Sequence, residues 1–162
     1  MNKLLTQEDE ILTLQSFAKK HSDLWIENAF NCKLWLEQRE ICKSVFNHPR
    51  TSVRSCSGSG KTYIAARIAL CFLFNNPPAT VITTAPTFRQ VEQILWKEIH
   101  LAKSQSTIPL AGHLTSVKLE IADDWFAIGL STDQPERFQG LHNENILVIG
   151  DEASGLPESV YV

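Results

Sequence analysis

The sequence predicts an α/β domain, a three-layer sandwich built on a mostly parallel sheet and preceded by a helical N-terminal segment. Three observations lead there. From residue 51 onward, apolar runs of strand length alternate with stretches of helical periodicity. A Gly/Ser-rich loop ending in Lys61-Thr62 lies between a short β-rich stretch and a helical one. A continuous apolar run, Ile146–Gly150, ends in Asp151-Glu152. Strands that alternate with helices imply parallel pairing through right-handed crossovers. Continuous apolar runs suit central strands buried on both faces.

Each element has its own signal. Residues 1–48 read as a helical unit: Leu5, Ile11, Leu12, Leu14 and Phe17 recur at helical spacing, and so do the apolar residues between Leu34 and Phe46. Residues 49–162 read as the α/β core. Thr51–Cys56 is short and β-rich. Tyr63–Phe74 reads as a helix stopped by Asn75-Asn76-Pro77-Pro78. Ala79–Thr84 reads as a buried strand, and Phe88–Ala102 as a second helix with Val91, Ile94, Leu95 and Ile99 on one face. Val117–Ile121 and Trp125–Leu130 are further strand candidates.

The 162 residues are 43% hydrophobic and 20% charged, the balance of an ordinary globular chain. The formal net charge is −3, without the basic excess common in nucleic-acid binders, so any DNA contact has to come from a local patch or from parts outside this sequence. Cys32, Cys42, Cys56 and Cys71 form neither a C-x-x-C pair nor a zinc spacing and read as free thiols of a reducing cytosol. No leader-like apolar run follows Lys3, and no stretch approaches the ~20 apolar residues that span a bilayer.

The chemistry is carried by Ser55-Cys56-Ser57-Gly58-Ser59-Gly60-Lys61-Thr62. Gly58 and Gly60 can adopt backbone angles closed to other residues, so that successive N–H groups converge on an anion. A helix starting near Lys61 adds the positive end of its dipole. Lys61 suits β- and γ-phosphates, and the Thr62 hydroxyl suits Mg²⁺. The first position of the Walker A pattern is Ser55 rather than glycine. Asp151-Glu152, 90 residues beyond Lys61, supplies the complement: Asp151 for the Mg²⁺ shell and Glu152 as the general base for water.

Over residues 30–162 the chain resembles the large subunit of tailed-phage terminases. Four blocks carry the likeness. They are Trp35-Leu36-Glu37-Gln38-Arg39, the loop lacking its first glycine, Thr83–Val91 with Ile94–Ile99, and Arg137-Phe138-Gln139-Gly140-Leu141-His142 leading into Ile146–Gly155. The resemblance implies a P-loop NTPase fold of the RecA/ASCE-like kind and ATP hydrolysis with Mg²⁺ that drives double-stranded DNA into a capsid. It implies Gln38 as an adenine contact, and Arg54 or Arg137 as the arginine that triggers hydrolysis. The implied partners are a small terminase subunit, a portal protein and further copies of the chain, in the cytoplasm of a bacterial host. It also implies a longer whole protein, with a coupling motif and a nuclease domain beyond this sequence. Two alternatives stay open: a helicase-like superfamily 2 DNA-dependent ATPase, and a non-catalytic nucleotide-binding fragment. Trp25, Trp35, Trp96 and Trp125 read as packing residues, and Arg89 and Lys97 as a solvated helix face.

Overall fold

The computed structural model describes residues 16–56, 58–132, 140–152 and 155. Helical residues 16–20 come first, followed by α1 (Ser22–Ala29), α2 (Leu36–Asn47), α3 (Lys61–Asn75) and β1 (Ala79–Ala85). A second helical stretch runs as α4 (Phe88–Gln90), a π-helical turn (Val91–Trp96) and α5 (Lys97–Gln105). Strands β2 (His113–Leu114), β3 (Lys118–Ala122), β4 (Trp125–Ser131) and β5 (Asn145–Gly150) complete the sheet.

The five strands lie in the order β2-β3-β4-β1-β5. β1 pairs in parallel with β4 and with β5, whereas β3 pairs antiparallel with β2 and β4. This corrects the expected fold, a three-layer P-loop NTPase sandwich on a mostly parallel sheet. The sheet is mixed, with two of its four pairings antiparallel. The physical reason lies in the connection Asp123-Asp124, which brings Ala122 opposite Trp125. A two-residue link can join only antiparallel neighbours, because a parallel pair needs a long crossover.

The layering departs from expectation too. Ala79, Val81, Ala85, Leu119, Ala127, Leu147 and Ile149 share one core with Ile64, Leu70, Val91, Trp96 and other helix residues. These strand positions alternate along each strand and therefore line one face of the sheet. α3, α4 and the π turn reach the sheet, and α3 and α4 both touch the π turn. On the opposite face, Ile146 and Val148 of β5 remain 39% and 48% exposed. Among the described residues β5 is thus an edge strand half-buried in alternation, not the central strand buried on both faces that its apolar run suggests. That description fits β1, all seven of whose residues are buried. The expected strand at Thr51–Cys56 is also absent. Those residues are irregular, and Ser52–Cys56 are exposed.

Close packing fixes the second helical stretch. Trp96 is fully buried, and its indole N–H donates to the Thr83 hydroxyl at 2.8 Å. Gly129 of β4 makes room for it. A Cβ there would collide with Trp96 Nε1 and lie 2.6 Å from Val91 Cγ1. Between helices, the buried Arg67 donates to Glu98 at 2.8 Å and to the Tyr63 carbonyl at 2.9 Å, and stacks 3.3 Å from the Tyr63 ring centre. The α1–α2 pair is tied by Arg39, which bonds Glu27 at 2.7 Å and approaches Asp23 at 3.5 Å. Burial pushes the Cys42 thiol up to about 12, with the Asp23 carboxylate adding to the rise, and burial raises Cys71 well above the ordinary thiol range.

Two predictions follow from this packing. Gly129→Ala should lower stability by about 1–3 kcal/mol, the usual cost of overpacking a tight core, and a urea titration followed by tryptophan fluorescence measures it. The buried thiols set an alkaline limit. Once pH passes the ordinary thiol range, the unfolded chain releases protons that the folded chain retains, so stability falls. Each thiol should contribute a slope of about 1.4 kcal/mol per pH unit above about pH 8.5 until its raised value is reached. Urea midpoints at several alkaline pH values should therefore decline less steeply in Cys42→Ala/Cys71→Ala than in wild type.

Candidate functional site

The loop preceding α3 combines two left-handed glycines with a helix start. Gly58 and Gly60 each have φ of +78°, a conformation that costs an L side chain about 1 kcal/mol or more. Space around Gly58 is open, since no atom lies within 4 Å of where its Cβ would stand. Gly60 is the N-cap of α3, and no side chain caps the helix. The Ile64 amide bonds the Gly60 carbonyl at 3.0 Å, the first intrahelical bond. Among the described residues, the amides of Lys61, Thr62 and Tyr63 have no protein acceptor. A 15-residue helix thus turns its positive end, with no acceptor for these amides among the described residues, towards an open glycine turn. Polyphosphate oxygens fit that arrangement.

The other loop side chains contribute as follows. Lys61 Nζ donates to the Ser55 carbonyl at 3.1 Å, the Ser55 hydroxyl at 3.2 Å and the Cys56 carbonyl at 2.9 Å. The Ser55 and Ser59 hydroxyls share a hydrogen bond of 2.6 Å. Cys56 is an exposed free thiol, and Arg54 is exposed. Ser57 and Arg137 lie outside the described residues. Thr62 is half-buried and lines a groove of about 860 Å³ with Gln93, Lys97, Glu98 and His100.

The topology carries the acidic pair to the same end of the sheet. α3 returns to β1 through residues 76–78 alone and packs on β1, β4 and β5. Its fifteen residues span roughly 22 Å, close to the roughly 23 Å of the seven-residue β1, so its start lies level with the end of β1. β5 runs parallel to β1 with Gly150 opposite Thr84, and the Asp151 amide continues the ladder by donating to the Thr84 carbonyl at 2.8 Å. Asp151 is half-buried and Glu152 exposed. Glu152 has φ of +56°, rare outside glycine and asparagine, and its amide bonds the Asp151 carboxylate at 3.2 Å. Among the described residues, no hydrogen bond or ion pair joins Lys61 or Thr62 to Asp151 or Glu152. The fold gathers the two groups at one end without direct contact.

Gln38 occupies a place that the sequence did not suggest. It is buried, its Oε1 accepts from the Trp35 amide at 3.2 Å, and its Nε2 lies 2.8 Å from where a Cβ on Gly60 would stand. It therefore closes the start of α2 and packs against the backbone of the glycine loop at Gly60. The neighbouring Trp35, read as a packing residue, is 64% exposed instead. Its position at the very start of α2 was the available signal, since an N-cap residue projects from the helix end rather than from its apolar face.

Thr62 and Asp151 each carry an oxygen of the hard kind that Mg²⁺ prefers, but among the described residues no contact brings the two together. Among the described residues no group of three or more His, Cys, Asp or Glu side chains gathers as a metal cluster. No helix among them is long and apolar enough to cross a membrane.

No protein-family model matches the sequence, and no curated protein matches it.

The Gln38 contact predicts that Gln38→Ala lowers stability by roughly 1 kcal/mol through loss of the Trp35 amide bond, measurable as a lower midpoint in thermal unfolding.

Proposed function

We propose that the loop Ser55–Thr62 binds the phosphates of ATP with Mg²⁺, and that the chain hydrolyses ATP as the motor part of a terminase-like DNA-packaging enzyme. One observation carries the nucleotide reading: two left-handed glycines lead into the uncapped start of a long helix, at the sheet end where Asp151 and Glu152 emerge. The packaging reading rests on the sequence blocks that resemble terminases, and not on the fold.

In this reading the free amides of the first turn of α3 and the loop bind phosphate oxygens. Lys61 places its positive charge against the β- and γ-phosphates. Thr62 and Asp151 hold Mg²⁺, which when bound offsets phosphate charge. Glu152 accepts a proton from the attacking water, whose oxygen bonds the γ-phosphorus as the bond from that phosphorus to the β–γ bridging oxygen breaks, leaving ADP and phosphate. Arg54 or Arg137, or an arginine from a neighbouring copy, supplies the remaining positive charge. Gln38 supports Gly60, and the exposed Trp35 offers a face to the base. Double-stranded DNA, a small subunit and a portal protein are the partners in this reading, and the bacterial cytoplasm is its setting.

A non-catalytic nucleotide-binding role is the second reading. It is favoured by the lack of direct contact between Lys61 and the acidic pair. Calorimetric ATP binding and phosphate release, with and without double-stranded DNA, separate the two. The proposal expects wild type to bind Mg-ATP and to release phosphate faster when DNA is present. Lys61→Ala should weaken binding at least about tenfold, as loss of a charge-assisted contact does. Glu152→Gln should keep binding while losing roughly 10²–10⁴-fold in turnover, the range for a general base. Binding without turnover in wild type would favour the second reading, and absence of ATP binding would sink both.

A further inference from the structure

Ser55 stands where the phosphate-loop pattern has its first glycine, and its hydroxyl makes bonds that glycine could not. The Lys61 ammonium has three N–H donors, and one corner of the loop meets all of them: the Ser55 carbonyl at 3.1 Å, the Ser55 hydroxyl at 3.2 Å and the Cys56 carbonyl at 2.9 Å. The same hydroxyl reaches across the loop to Ser59 at 2.6 Å. Ser55 Oγ is therefore the atom shared by the loop's first limb, its last limb and its lysine. Ser55 and Cys56 are exposed, so an anion from solvent can reach this corner.

We infer that Ser55 is a positioning residue that latches the loop, holding Lys61 on the loop's own oxygens so that a polyphosphate must draw the ammonium away before it is gripped. The inference rests on the phosphate-binding reading and adds how that grip is regulated. An ammonium with three donors committed has none left for a phosphate oxygen, so each new bond to phosphate replaces one to the loop. A ligand that needs the released arrangement shows an affinity reduced by the fraction released. Removing the hydroxyl takes away one of three acceptors and the strap to Ser59, while both carbonyls stay. Alanine is the informative substitution, because glycine would also loosen the backbone.

The test uses the full chain with inorganic triphosphate and Mg-ATP as probes. Ser55→Ala should bind either probe roughly three- to tenfold more tightly, the shift expected for the net value of one solvent-exposed hydrogen bond, and chiefly through faster association. Ser59→Ala, which cuts the strap alone, should gain less. Acylation of the Lys61 amine by an amine-reactive ester, read by mass spectrometry, reports the latch without any ligand and should be faster in Ser55→Ala. Ser55→Thr restores a hydroxyl and should return both readings towards wild type. Equal or weaker binding by Ser55→Ala, with Lys61 acylation unchanged, overturns the latch while leaving phosphate binding by the wild type intact. Faster acylation in a set of proteins that bind no triphosphate overturns the latch as a control on phosphate and rejects the phosphate reading of the loop with it.

Discussion

The short return from α3 to β1 is the constraint on which the arrangement depends. Only residues 76–78 separate the helix from the strand, so the two must lie antiparallel in adjacent layers. The apolar face of α3, including Ile64, Leu70 and Leu73, is buried in the shared core. β1 is then enclosed by this helix layer above and by β4 and β5 beside it. Burial of these side chains, at about 25 cal/mol per Å² of apolar surface, holds the helix against the sheet. The glycine loop inherits its position from that packing. It sits at the end of β1 because the helix it opens is as long as the strand it covers.

Much of this was legible in the residues, and what was not has identifiable causes. The Ala79–Thr84 run and the helix after Lys61 were plain because both are apolar, of the right length and bounded by Gly or Asn-Pro signals. The sheet was misread because parallel pairing was inferred from element alternation, while a link of only two residues, Asp123-Asp124, between two β-type runs leaves no room for a parallel crossover. The Ile146–Ile149 run illustrates a different limit. An apolar run gives no information on whether neighbours exist on both sides, and β5 turns out to have β1 on one side only among the described residues. Propensity at Thr51–Cys56 likewise finds no partner strand among the described residues, and β structure needs one.

The candidate site was legible in composition but not in its interior contacts. Lys-Thr after alternating glycines, and Asp-Glu after an apolar strand, are patterns that a sequence shows directly. That Gln38 supports Gly60, that Ser55 binds Lys61, and that Thr62 borders the α5 groove are contacts between segments far apart in the chain or between polar side chains with several possible partners. Local pattern does not fix such choices, whereas the packing of α2 and α5 against α3 does.

The left-handed backbone at Glu152 has a consequence for how that turn reads. A bend serving geometry alone would be made more comfortably with glycine or asparagine, whose φ of this sign carries little penalty. Glutamate at +56° holds the same shape at a cost of about 1 kcal/mol. The bend is therefore less relaxed than the glycine or asparagine version, and it carries an acidic group one residue past Asp151. At this position the carboxylate, rather than the curvature, distinguishes the residue present from the residues the backbone would prefer.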